Sequence, residues 1–90
     1  MSTDFTIAET ETFIDSIKRE NNKIIQKIRT FIYPQLAKNP FFGNNIKKLK
    51  GELQGLYRYR IGNYRLFYKI DHSRCIVFVL DLKKRKDSYK

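Results

Sequence analysis

Arg58, Arg60 and Arg65 are the side chains of this sequence best suited to chemistry with an anion. Arginine carries a fixed fork of donors that matches phosphate oxygens two at a time. The three lie in a stretch where basic and apolar residues alternate, Tyr57-Arg58-Tyr59-Arg60-Ile61 and Tyr64-Arg65-Leu66-Phe67-Tyr68. Phe67 adds a ring face on which a base can stack. Further cations flank the stretch. Lys47, Lys48 and Lys50 precede it, and Lys83, Lys84, Arg85 and Lys86 follow the last apolar run and lead to Tyr89. The combination implies a surface that binds a polyanion, with RNA the first choice.

The elements that must position these residues are legible around them. Leu56–Ile61, Tyr64–Ile70 and Cys75–Leu82 read as strands, and Gly62-Asn63 suits a two-residue hairpin turn. That turn sets Ile61 opposite Tyr64, Arg60 opposite Arg65, Tyr59 opposite Leu66, Arg58 opposite Phe67 and Tyr57 opposite Tyr68. Side chains alternate between faces, and cross-strand partners share one. Arg58, Arg60, Arg65, Phe67 and Lys69 therefore share a face. Tyr57, Tyr59, Ile61, Tyr64, Leu66, Tyr68 and Ile70 form the other, which is the natural bed for helices. Two arginines directly opposite one another repel, so a sheet that keeps them is expected to meet an anion.

Upstream, Asp4–Ala8 reads as a short strand. Residues 10–20 read as a helix capped by Thr10, with Asn21-Asn22 as a break. Ile24, Ile25, Ile28, Phe31 and Ile32 form a helical stripe assigned to the core; Pro34 is expected to kink or end that helix, with continuation of its apolar face by Leu36 and Ala37 the alternative. Asn39–Asn45 is a loop whose Phe41 and Phe42 are assigned to the core, with an exposed stacking surface the alternative. Ile46–Lys50 is a brief strand or a helical turn. The expected fold is one α+β domain over residues 1–90: a mostly antiparallel sheet of about four strands with two N-terminal helices packed on one face.

Charge supports the same half of the chain. The sequence holds 19 Lys and Arg against 9 Asp and Glu in 90 residues, a formal +10. Residues 1–45 carry six basic and five acidic side chains, whereas residues 46–90 carry thirteen basic and four acidic. A charge serving only solubility would be spread more evenly; this asymmetry implies a polyanionic partner. Several function classes are disfavoured. There is no metal-ligand cluster, no glycine-rich phosphate loop, no serine-nucleophile motif and no apolar run of membrane-spanning length. Cys75 lies in an apolar run and reads as a small core residue in a reducing cytosol, and the acidic N-terminus does not read as a secretory signal. His72, the single histidine, reads as a solvated turn residue.

The segment LKGELQGLYRYRIGNYRLFYKID, followed by CIVFVLDLKKRKDSYK, resembles the RelE-type toxins of bacterial and archaeal toxin–antitoxin pairs, within the RelE/ParE superfamily. The likeness extends in order over most of the chain. It implies a cytoplasmic, ribosome-dependent mRNA endoribonuclease that uses neither metal nor cofactor and is neutralised by a cognate antitoxin protein. In that comparison Arg58 and Arg60 match the family's paired basic residues, Arg65 its strand arginine, and Arg85 and Tyr89 the end of a His-Arg-x-x-x-Tyr motif. Arg65, Arg85, Tyr89 and Lys84 are the implied catalytic set. Arg58, Arg60, Lys47, Lys48, Lys50, Phe67, Lys83 and Lys86 are the implied RNA-binding set.

The sequence departs from the family twice. Arginines stand where well-studied members have lysines, and an arginine that stays protonated cannot act as base. Lys84 replaces the motif's histidine. The base is thus Tyr89, Lys84 or one of Lys47, Lys48 and Lys50. Two other readings share the fold: a ParE-like inhibitor of DNA gyrase, and a non-catalytic module that binds RNA or the ribosome.

Overall fold

The computed structural model describes residues 4–51 and 55–84. Among the described residues five strands form one sheet: β1 (Thr6–Glu9), β2 (Ile46–Lys48), β3 (Tyr57–Ile61), β4 (Tyr64–Asp71) and β5 (Ile76–Lys84), in the order β1-β5-β4-β3-β2. The pairings β2–β3, β3–β4 and β4–β5 are antiparallel, whereas β1 runs parallel to β5. The expected sheet of about four strands is thus corrected to five strands in a mixed sheet. Ile46–Lys48 is a strand because its edge pairs with β3. The parallel partnership escapes local patterning because Thr6 pairs with Ile76, far along the chain.

The β3–β4 hairpin has the expected register at all five pairs, from Ile61 with Tyr64 to Tyr57 with Tyr68. Gly62 takes φ +56° at the first turn position, a conformation that costs glycine little. β5 is less regular. Between Phe67 and Tyr68 the partner jumps from Asp81 to Val79, leaving Leu80 as a bulge. Val77 and Val79 face the helices before the bulge, and Leu82 does so after it.

Helix α1 (Glu11–Ser16) is shorter than expected, although Thr10 does cap it: its Oγ1 accepts from the Phe13 amide at 3.2 Å. The same hydroxyl donates to the Val79 carbonyl at 2.7 Å. β1 ends at Glu9, and α1 takes over the outer edge of β5, where Ser16 Oγ accepts from the Leu82 amide. Asn21 does not simply break the chain. Its Oδ1 accepts from the Ile24 amide at 3.0 Å and starts the next helix.

That helix passes through Pro34. An α-helical segment, α2 (Asn22–Lys27), leads into a π turn (Ile28–Ile32) and then α3 (Tyr33–Lys38). In the π turn the Tyr33 amide donates to the Ile28 carbonyl, five residues back, immediately before the proline that cannot donate. The turn also serves the core. Ile24, Ile28, Ile32 and Leu36 are all buried. A strict four-residue spacing drifts by about 40° per step around a 3.6-residue helix, and a wider turn absorbs part of that drift. Phe31, assigned to the stripe, falls outside it and is 53% exposed.

The helical layer covers one sheet face, where Tyr59, Ile61, Leu66 and Tyr68 join Phe13, Val77, Val79 and Leu82 in the core. The tyrosines reach polar partners at the layer boundary. Tyr59 donates to Gln35, Tyr64 to Glu20, and Tyr68 to the Pro40 carbonyl at 2.8 Å. Of the loop phenylalanines, Phe41 packs edge-on to Phe5 and Tyr57, whereas Phe42 is 78% exposed rather than core. Cys75 is also displaced from its expected strand. It sits part-exposed in the turn before β5 with φ +56°. No helix among the described residues is long and apolar enough to cross a membrane.

Candidate nucleic-acid interface

On the sheet face opposite the helices, beside the Lys69–Phe78 pair, two rows of side chains bear on anion binding. The hairpin and the β4–β5 register align Arg60, Arg65 and Lys83 across three strands. One step along, Lys47, Arg58, Phe67 and Asp81 align across four. The first row is wholly cationic and exposed. The second places Phe67 between a guanidinium and a carboxylate.

Arg58 is the most confined of these cations. Its Nε is buried and has no hydrogen-bond partner among the described residues. Burial, then the repulsion of Arg60 and Arg65, pushes its guanidinium below the usual arginine range. Arginine remains protonated even so. A buried, unpaired charged donor is costly, and a phosphate oxygen would satisfy it. No carboxylate among the described residues forms an ion pair with Arg58, Arg60 or Arg65.

The remaining candidate residues do not all converge. Lys47 and Lys83 share the arginine face. Lys48 pairs with Tyr57 and Lys84 with Tyr64, so register assigns both to the helix side. Lys84 Nζ lies 6.0 Å from the centroid of the Tyr64 ring. The bulge at Leu80 is the cause: it inverts the alternation of β5, turning Lys84 away from the arginines and Asp81 toward them. Lys50 lies beyond the end of β2 and lines a shallow pocket with Lys48, Leu49 and Gly51. Arg85, Lys86 and Tyr89 lie outside the described residues.

Asp81 is the functional candidate that sequence reasoning missed. A single carboxylate within the last apolar strand was the signal, but its face depends on the bulge. It borders a groove of about 480 Å³ lined by Thr12, Leu56, Phe67, Leu80, Asp81 and Lys83. The surface can therefore neutralise phosphates along one row and accommodate an apolar, planar group beside it.

Known proteins share this fold. The chain is 32% identical to Toxin RelE of Mycobacterium tuberculosis over 84 residues, covering 93% of this chain and 84% of that one. It is 29% identical to Toxin RelG of the same organism over 86 residues, covering 96% and 97%. The fold superposes on a chain of the M. tuberculosis toxin–antitoxin complex RelBE2 with a TM-score of 0.83 at 28% identity, covering 97% of this chain and 98% of that one. Residues 7–89 match the family described as the ParE toxin of the type II toxin–antitoxin system parDE. The chain belongs to this ParE toxin family and is a type II toxin of the RelE/ParE superfamily.

Proposed function

We propose that this toxin is an mRNA endoribonuclease that cuts ribosome-bound message by metal-independent attack of a ribose 2′-hydroxyl on the adjacent phosphate. The observation that supports it best is the Arg60–Arg65–Lys83 row beside the buried Nε of Arg58, which has no partner among the described residues. In the reaction the 2′-oxygen bonds to phosphorus as its proton passes to a base. The bond from phosphorus to the 5′-oxygen breaks, and that oxygen takes up a proton. The products are a 2′,3′-cyclic phosphate and a 5′-hydroxyl. Negative charge grows on the non-bridging oxygens, where preorganised cations act most strongly. Arg65 and Arg85 are assigned to those oxygens, and Arg58, Arg60 and Lys83 to the flanking backbone. Tyr89 exchanges a proton or stacks on a base. The helix-side positions of Lys84 and Lys48 favour Tyr89 or Lys47 as the base. A cognate antitoxin would silence the toxin by covering the basic face, and the site of action is the cytoplasm, with message and ribosome as partners.

The test is induction of the wild type, Arg65→Ala and Tyr89→Phe, with transcriptome-wide mapping of message ends. New ends within translated frames are expected for the wild type. Arg65→Ala should reduce them about 100-fold, the scale for losing one charge-stabilising donor. Growth arrest without new ends would overturn the reading. The family's ParE description favours a second reading, poisoning of DNA gyrase; DNA-damage signalling without RNA cleavage would establish it instead.

A further inference from the structure

Asp81 is out of place on a surface that binds phosphate. It stands directly across from Phe67, two strands from Arg58, on the face that carries Arg60, Arg65 and Lys83. A carboxylate there repels the RNA backbone, so its useful contacts are with donors; in single-stranded RNA these are the ribose 2′-hydroxyls and the N–H groups of base edges, and only the latter differ from base to base. The groove beside it is of ligand-pocket size and mostly apolar in its lining. Phe67, Leu56 and Leu80 supply that apolar lining, suited to a base face.

We infer that the groove takes a guanine base, with Phe67 beneath the ring and Asp81 reading its Watson–Crick edge. This rests on the RNA reading proposed above. Guanine presents N1–H and N2–H side by side, matching the two oxygens of a carboxylate. Adenine and cytosine each offer one exocyclic amino group beside a ring acceptor that faces the carboxylate with like polarity. Uracil offers a single N–H between two carbonyls. The groups on Asp81 leave room for this contact. Oδ1 accepts from the Leu82 amide at 2.9 Å, and Oδ2 lies 3.8 Å from Lys83 Nζ. A carboxylate has about four acceptor sites, so both oxygens keep free lone pairs. The Lys83 ammonium is then available to the phosphate next to the bound base. The bulge at Leu80 creates this juxtaposition, since regular alternation would send Asp81 to the helix side.

The experiment measures binding of purified toxin to short fluorescent oligoribonucleotides carrying 2′-O-methyl groups, which cannot be cleaved. Each is an oligo-uridine with one central guanosine, inosine or adenosine. For the wild type the guanosine strand should bind about tenfold more tightly than the adenosine strand, with inosine, which lacks the 2-amino group, between them. Asp81→Asn keeps an acceptor for the Leu82 amide, and the guanosine-to-adenosine ratio should fall to near one. Phe67→Ala should weaken both strands together. A wild-type protein without guanine preference, or a preference that survives both Asp81→Asn and Asp81→Ala, overturns the inference while leaving RNA binding intact. Absence of any salt-sensitive RNA binding overturns the underlying RNA reading. If Asp81→Ala leaves the RNA ratios unchanged but weakens capture of the cognate antitoxin, the groove is a protein site and the inference fails.

Discussion

Replacing Arg65 by glutamine should stabilise the fold while weakening its hold on RNA. Arg65 stands between Arg60 on β3 and Lys83 on β5, each its direct cross-strand partner. With head groups about 6 Å apart at the solvent surface, two like charges repel by about 0.7 kcal/mol in water. Screening over a Debye length of about 8 Å at physiological salt halves that to about 0.3 kcal/mol. Two such contacts give about 0.7 kcal/mol, within the range for cross-strand pairs. Thermal unfolding of a chain of this size should shift upward by about 3–5 °C. On the proposed RNA reading the same change removes one phosphate contact. The slope of log affinity for single-stranded RNA against log salt should become shallower by about 0.7. Circular dichroism melts and fluorescence anisotropy across a salt series read the two effects separately. A melting temperature that falls, or a salt slope that stays put, would refute the view that this row exists to meet an anion rather than to hold the sheet.

Two further outcomes concern the scaffold. Leu66→Ala empties a fully buried position where the sheet meets the helices and should cost about 2–5 kcal/mol in chemical denaturation. Glu9 ties the end of β1 to the helical layer, accepting two bonds from Arg29, at 2.9 and 3.0 Å, and one from Tyr33 at 2.8 Å. Burial alone would raise its carboxyl, but the hydrogen bonds from Arg29 and Tyr33 outweigh that and hold it below its ordinary value of 4.5. Its folded pKa is depressed, so its contribution is complete above that value and is lost as the pH falls through the lower folded one. Urea midpoints measured from neutral pH into the acid range should show this loss in the wild type and a flatter profile for Glu9→Gln.

The hairpin and its arginine face were readable before any coordinates because their determinants are local. A two-residue turn of glycine and asparagine sets the register, and strict alternation then assigns each residue from Tyr57 to Ile70 to a face. Thr10 as a helix cap was legible for the same reason, since its partner is three residues away. At Pro34 the sequence leaves open an end, a kink or a continued apolar face through Leu36; the face continues because a π turn accommodates the proline, a device that local propensity does not reveal. Hydrophobicity alone places Phe31 and Phe42 inward, but Ile24, Ile28, Ile32 and Leu36 fill the inward positions of the helix, and in the loop Phe41 takes the place against Phe5 and Tyr57 while Phe42 stays exposed.

By itself the sequence determined that a basic, arginine-lined hairpin exists, which residues compose it, and which toxin superfamily the chain resembles. Tertiary structure alone decided the membership of the candidate site. Which β5 side chains join Arg58 and Arg65 depends on one unpaired residue, Leu80, and on α1 replacing β1 along the outer edge of that strand. Those choices are settled by contacts between segments far apart in the chain. No local pattern records them, and they turn Lys84 away from the arginines while bringing Asp81 to them.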